Sequence, residues 1–563
     1  MAPPALAVLL LAAVALFRFY LWPPVAQLLE HAPAEFTDAF AELVAREQAV
    51  VFPLAVVTGF TALLSFVQRG MDSPRARVQL IGFAALVLAA IVSTSVTSPI
   101  AKTIMHSTEG VADLVVRWNR WQWVLFACAA VACGAFGVAQ RLPATSTRVG
   151  VLDDRHRRLI VLLGAATLFE GYDRFIISLA LPYIGHDLGA SEGSLGFALS
   201  IIRVGALMSL FLGRAADRFG RRRVLLTTVL AYTIATAATG LSHALAAFVV
   251  FQLLATVFLT AELALAQVVV AEEFPASYRG RGQGLLGAFG ALGGGLAAML
   301  FPVLARSAVG WRGLYFLGLV PLLFVAYLRR DMPETRRWRR LAEARLAMPR
   351  PVDVRALAEL LGRDLRVRFL ALNLAAASAS IAASPAFAFA SYHATHAFDW
   401  SPSEVSAMII AGGALGVSGW FFFGRLADSF GRRGTGAVAL VFGAVSAVAF
   451  YQTSWLVPAF AALVFTDAGA SIALNALGTE LFPTHLRATA KSWVTNSAIV
   501  GAMVGLAIVG LASARFGAAA VISTLAIVQL LSTPLLFLVR ETRGEELEAI
   551  AGDEFAAVTG DER

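Results

Sequence analysis

One apolar run carries three ionisable residues within five positions. RLIVLLGAATLFEGYDRFIISLALPYIG, residues 158–185, holds Glu170, Asp173 and Arg174 in its middle. At i, i+3 and i+4 they share one helix face. Glu170 and Arg174 can pair, which leaves Asp173 with spare charge. Each such charge costs roughly 2.5–3.5 kcal/mol at the centre of a membrane on insertion scales. Arg203, Glu262 and Asp467 lie well inside other apolar runs, and Asn475 and Asn496 add amides. Gln267 follows Glu262 by five residues, points off that face and stays outside the set. Four acids then face two bases at membrane depth. If both bases pair, two acids keep no cation and lower their cost by taking a proton. That is the chemical requirement for a proton carrier. The plainer reading is a closed ion-pair network that only fixes helix packing.

Composition says what must position these groups. The chain has 563 residues, 58% of them hydrophobic and 15% charged, with a mean hydropathy of +0.73. Repeated apolar runs near 20 residues are long enough to cross about 30 Å of hydrocarbon. The fold class expected is an all-α polytopic membrane protein. A pI near 9.9 could suggest nucleic acid, but the Arg clusters fall between the apolar runs, where topology explains them, so no nucleic-acid partner is expected. Cys128 and Cys133 share one run, which is neither a disulfide framework nor a metal set. His31 and His106 stand alone. No Gly-Lys-Ser/Thr phosphate loop occurs, which opposes an ATP-driven pump. No cofactor, metal or catalytic set is expected. The N-terminus has no basic leader and reads as a first span rather than a cleaved signal.

Sixteen spans can be counted, as four and then twelve. The four lie near 4–22, 48–67, 79–98 and 121–140. Six follow near 158–182, 195–213, 224–241, 246–271, 284–305 and 312–328. After a polar break come 368–391, 403–423, 435–452, 456–479, 492–513 and 517–539. Basic residues gather in 141–158, 214–223, 279–281, 329–368, 425–433, 487–491 and 540–543, whereas YIGHDLGASEGS and HATHAFDWSPSE hold no Lys or Arg. This bias puts both ends of the twelve-span block, and Met1 with them, in the cytoplasm. Arg306, Arg312 and Arg515 run against it, and Arg18 fits poorly near the outer end of its span.

The chain also repeats itself. GRAADRFGRR (213–222) recurs as GRLADSFGRR (424–433), EEFPASYRG (272–280) as ELFPTHLRA (480–488), and PETRR (333–337) as RETRG (540–544), at offsets of 211, 208 and 207. Three pairs in one order at nearly one offset imply two homologous six-span halves. The boundaries expected are an accessory module at 1–147, bundles at 148–328 and 368–540, a central loop at 329–367 and a tail at 541–563. The Arg-rich central loop suits amphipathic helices on the inner leaflet, and the acidic tail a short helix followed by disorder.

The G-x-x-x-D-R-x-G-R-R pattern between the second and third of twelve spans resembles the loop motif of the major facilitator superfamily. The Glu-Phe-Pro…Arg-Gly, PETRRW and ETRGEEL motifs resemble its sugar-porter and organic-acid-symporter branches. The resemblance covers roughly 155–548. It implies two six-helix bundles rocking around a central site, with ion pairs at the cytoplasmic gate that break as the site opens inward. On this resemblance the gate comprises Gly213, Asp217, Arg218, Gly220, Arg221, Glu272 and Arg279, with Gly424, Asp428, Gly431, Arg432, Glu480 and Arg487 in the second half. The chemistry is plausible by itself. Glycines allow close approach and positive φ in a tight turn, and the carboxylates accept charge-assisted bonds from arginines or helix N-termini. The alternative is solvated anchoring, the natural reading of Arg222, Arg223 and Arg433.

LFEGYDRF resembles the acidic first-span motif of aromatic-acid and related metabolite–proton symporters, which implies Asp173 as the coupling residue on a wall facing the central cavity. The proton-coupling set is Asp173, Glu170 and Glu262. The substrate set is Arg203, Tyr172, Arg174, Asp467, Asn475 and Asn496. Sugar porters use glutamines in their seventh span, and NLAAASASIAASPAFAFASY has none. The reading is therefore a proton-coupled symporter of a small organic solute, an organic anion first, in a bacterial-type inner membrane. The rivals are a facilitative sugar porter, a proton-antiporting efflux protein, a non-transporting sensor and a membrane enzyme. Residues 1–147 faintly resemble the four-helix anthrone-oxygenase-like membrane domain, and RWNRWQW (117–123) looks like an interfacial belt. This module is expected to pack on the bundles or meet a partner.

Overall fold

A computed structural model of the chain describes, with short breaks, residues 3–51, 97–141, 154–319 and 354–543, with scattered residues between 54 and 89, and the described residues are helices and turns without a strand. Most of the second and third predicted spans, residues 320–353 with the PETRR repeat, the tail from 544 and the side chains of Asp217 and Arg279 lie outside the described residues. Runs of Leu, Ala, Val and Phe close their backbone hydrogen bonds within each segment, the requirement a lipid interior imposes. Eleven helices among the described residues are long and apolar enough to cross a membrane.

The first module contains α1 (Pro3–Leu16), a π turn (Phe17–Leu21), α2 (Trp22–His31), α3 (Ser98–His106) and α4 (Val111–Arg141). Arg18 sits in the π turn, donates to Asn119 Oδ1 and lies 4.4 Å from the Trp123 ring centroid. α4 supplies its partners. The RWNRWQW belt divides. Trp118 is buried against Trp22 and Phe40, at 4.9 and 5.0 Å between ring centroids, while Trp121 and Trp123 stay exposed.

The first half of the repeat contains α5 (Asp154–Asp187), α6 (Glu192–Phe219), α7 (Arg221–Gly240), α8 (Leu245–Glu273) and α9 (Ala276–Ala305), followed by a helical stretch at 312–319. A short α10 (Val354–Leu360) precedes the second half: α11 (Arg366–Ala388), α12 (Ala390–Phe398), α13 (Pro402–Phe430), α14 (Arg432–Gln452), α15 (Leu456–Glu480), α16 (Thr484–Phe516) and α17 (Ala518–Gln529). The predicted seventh span is broken, since α11 contains Pro385 and ends before Phe389. The twelfth tightens to a 3-10 helix over Leu530–Leu538, where Pro534 has no N–H to give the α ladder.

Packing repeats with the sequence. α5 lies on α9 as α11 lies on α16, α6 on α8 as α13 on α15, and α7 on α8 as α14 on α15. The bundles meet where α6 packs on α16 and α9 on α13. Glycines set the closest approaches. A Cβ on Gly293 would lie 1.8 Å from Leu168 O, and one on Gly501 2.1 Å from Ala377 O. These equivalent contacts align Leu168 with Ala377, an offset of 209.

Candidate substrate and proton site

The charged face of α5 is divided by its neighbours. Arg174 Nη2 donates to Glu170 Oε1 at 2.6 Å, with the carboxylate buried and the guanidinium side chain 52% exposed. Glu170 Oε2 is buried without a hydrogen-bond partner. Asp173 points the other way, into its own bundle. Its Oδ2 accepts from the Tyr232 hydroxyl and from Thr236 Oγ1 at 3.1 Å, and its buried Oδ1 has no partner. Gly318 lies beside that oxygen, where a Cβ would make an ordinary contact at 3.6 Å. Glu262 on α8 is also buried and lies 2.9 Å from the donor Thr228 Oγ1.

The expectation that Asp173 faces the central cavity therefore needs correction: Arg174 is the accessible member of the motif. Tyr172 is buried and donates to Leu314 O at 2.8 Å, which pins α5 to the 312–319 helix and turns the ring away from the cavity. Sequence reasoning missed Thr228, Tyr232 and Thr236. Their signal was present, for three polar residues at four-residue spacing in TTVLAYTIATAATG form one helix face.

The remaining candidates stand on other helices. Arg203 is accessible on α6 and within electrostatic reach of Arg174. Asp467 and Asn475 lie on α15 and open to a cavity of about 240 Å³ inside the second bundle, although the Asn475 amide donates to its own Ser471 O at 2.8 Å. Asn496 is half-buried on α16. The site is thus spread over two bundles, with guanidiniums in one and a carboxylate in the other.

Among the described residues, the hydrogen bonds across the bundles lie at the end opposite the Arg-rich loops. Ser178 Oγ donates to Phe387 O at 2.7 Å, and Ser200 Oγ to Met503 O at 2.8 Å. Glu192 accepts from Ala518 N at 2.9 Å and so caps α17 from the other bundle. At the motif end of the same helices, Phe211, Phe219 and Trp493 are exposed. The bundles are fastened at one end.

The motif loops are near copies of each other. Arg221 donates to Ala216 O at 3.2 Å and to Glu272 Oε1 at 3.0 Å. Arg432 donates to Ala427 O at 3.1 Å and pairs with Glu480 at 3.2 Å and Asp428 at 3.3 Å. Gly220 and Gly431, at φ 98° and 96°, make the turns that place them. Gly213 and Gly424 lie within helices at ordinary φ with open space around them, so of the four motif glycines only two serve the turn. Arg218 is exposed against Phe219, and Arg487 keeps buried Nε and Nη2 atoms without a partner. Arg433 is more than a solvated anchor. Its guanidinium donates to Phe537 O at 3.1 Å, and its backbone N–H and that of Arg432 donate to Glu541, whose neighbour Thr542 donates to Glu480. The described ion pairs of both loops lie within a bundle. Among the described residues, no group of three or more His, Cys, Asp or Glu is placed to hold a metal.

Known proteins carry the same pattern. The Major Facilitator Superfamily model matches residues 163–379 and 369–559. The chain is 32% identical over 181 residues to the niacin transporter NiaP of Acinetobacter baylyi, a match spanning 32% of this chain and 41% of that protein. It is 27% identical over 363 residues to the cis,cis-muconate transport protein of the same organism, covering 61% and 84%. The crystal structure of a D-xylose-proton symporter superposes with a TM-score of 0.57 at 18% identity, covering 69% of this chain and 99% of that one, a likeness of fold. With the family model spanning both halves of the repeat, and the helices paired as that repeat requires, the chain belongs to the Major Facilitator Superfamily.

Proposed function

We propose that this multi-pass membrane protein is a secondary active transporter that couples proton movement to the passage of a small organic acid. The observation that carries the reading is the division of labour on α5. Asp173 is a buried carboxylate with one oxygen held by Tyr232 and Thr236 and the other unpartnered, which is the condition of a group that takes up and releases a proton. Arg174 and Arg203 are accessible guanidiniums suited to a carboxylate substrate. The similarity to transporters of niacin and of cis,cis-muconate, both acids, supports the same substrate class.

In this reading the Arg-rich motif end and both termini face the cytoplasm of a plasma (inner) membrane. The fastened end is then external, and the structure is inward-facing. Glu170 and Glu262 extend the proton relay. The paired motif arginines brace each half, while the latch between halves is open.

The test is proton entry into proteoliposomes, read with an internal pH dye as pooled aromatic and aliphatic carboxylates, and separately pooled sugars, are added. Carboxylate-triggered acidification that disappears in Asp173→Asn is the expected result. Sugar-triggered acidification would overturn the substrate class, and solute uptake without proton movement would overturn the coupling.

A further inference from the structure

The two polar walls lie at one depth. Arg174 precedes Ser178 by four residues on α5, and Arg203 follows Ser200 by three on α6, so each guanidinium shares a helix face with a serine bonded to the other bundle. At 1.5 Å per residue the arginines lie about 5–6 Å from those contacts, where the bundles part. On the facing side, Ala383 precedes Phe387 by the same four residues, and Ala383 and Ser380 line the cavity that holds Asp467. The wall of the first bundle that carries Arg203 and the Glu170-paired Arg174 therefore looks across to the mouth of this cavity.

Asp467 is what an organic-anion site does not need. Its side chain is accessible, it shares the lining of that cavity with Ser380, Thr466, Asn475 and Gln529, and no cation pairs with it among the described residues. An unneutralised carboxylate beside a site for anions would repel a plain dicarboxylate or monocarboxylate. It attracts a solute that brings its own positive charge or N–H donor. Room is sufficient: an engineered cavity of about 150 Å³ accepts benzene, and this one, at about 240 Å³, holds a single substituted ring.

We propose that the substrate is a compact one-ring solute bearing both charges, with its carboxylate on Arg174 and Arg203 and a protonated nitrogen turned into the cavity toward Asp467. This rests on the organic-acid reading above and narrows it. Binding of three probes to the purified full-length protein at neutral pH tests it: benzoate, benzylamine and para-aminomethylbenzoate, each by calorimetry. The zwitterion is expected to bind about tenfold or more tightly than either relative, the equivalent of about 1.4 kcal/mol. In Asp467→Asn the ratio of zwitterion to benzoate affinity is expected to fall to near one. Asp467→Glu, which keeps the charge, restores a preference and controls for folding. A zwitterion preference that survives Asp467→Asn overturns the proposal, as does tighter binding of benzoate by the wild type. Failure of all three probes while a sugar binds removes the organic-acid reading itself. Benzoate binding with no zwitterion preference removes only this inference.

Discussion

The two halves of the repeat keep the same ends and exchange their interiors. At the motif end Arg221, Ala216 and Glu272 find their counterparts in Arg432, Ala427 and Glu480, down to the same carbonyl and carboxylate acceptors. Inside, the equivalence holds for the backbone alone. At the offset of 209, Glu170, Asp173 and Arg174 correspond to Ala379, Ala382 and Ala383. At 211, Thr228 and Tyr232 correspond to Ala439 and Gly443, and at 208 Glu262 corresponds to Ala470. Of these small residues all but Ala382 line the cavity of the second bundle. The space that buried charge and its donors fill in one half is empty in the other. Duplication supplied two frames, and side-chain volume made one a core of buried charge and the other a cavity.

That contrast can be broken experimentally. The largest effect is expected for Asp173→Asn, which removes a charge present in one half only. Proton-driven solute accumulation should fall by about a hundredfold, within the range for losing a positioned acid–base group, while solute exchange without a gradient persists. Equal loss of both activities would make Asp173 a packing residue.

Helix packing should treat the halves alike. Gly293→Val and Gly501→Val each force a side chain into a backbone carbonyl, and overpacking of this kind typically costs about 1–3 kcal/mol. Both variants should lose several degrees in a thermal melt in detergent. A loss confined to one would mean the α5–α9 and α11–α16 contacts are not equivalent.

The motif arginines sharpen the point further. Arg221→Ala removes an ion pair of 3.0 Å to Glu272 in a setting where both side chains are 10% exposed or less, whereas Arg432 and Glu480 are 17% and 19% exposed and Thr542 also serves Glu480. The first truncation should cost about 1–3 kcal/mol and the second less. Equal melting shifts would argue that exposure does not set the difference.

The smallest effect concerns a pin found in the first half, at the fastened end. Asp187 accepts from Arg312 and from Trp311 Nε1 at 3.1 Å, and the Arg312 hydrogen bond holds its carboxyl below the usual range. A depressed native value means the stabilisation is present at neutral pH and is lost as pH falls through that value, below about 4. Asp187→Asn should therefore melt slightly below wild type at neutral pH, and the gap should close on acidification. A gap that widens in acid would reverse the assignment.

Much of this was legible in the chain. The fold class and the duplicated halves followed from apolar run length and from motifs recurring at constant offset, both of which are local properties. Glu170, Asp173 and Arg174 stood out because charge in an apolar run is costly anywhere. Their orientation was not legible. Helix periodicity says that three residues share a broad face, but not which neighbour claims each of them. Tyr232 and Thr236 hold Asp173 inward with their hydroxyl donors, and Arg174 is left to the open side. The partners of Arg18 and Arg433, Asn119 and Trp123 for the one and Phe537 for the other, arrive from distant segments.

By itself, then, the sequence determined which segments are helical, how they repeat and which of them carry charge, since those depend on composition and spacing along one strand of chain. Tertiary structure alone decided which charge is buried with a partner and which is left facing a cavity. The cost of a charge depends on the donors, volume and water brought to it by other helices, and these are set by packing.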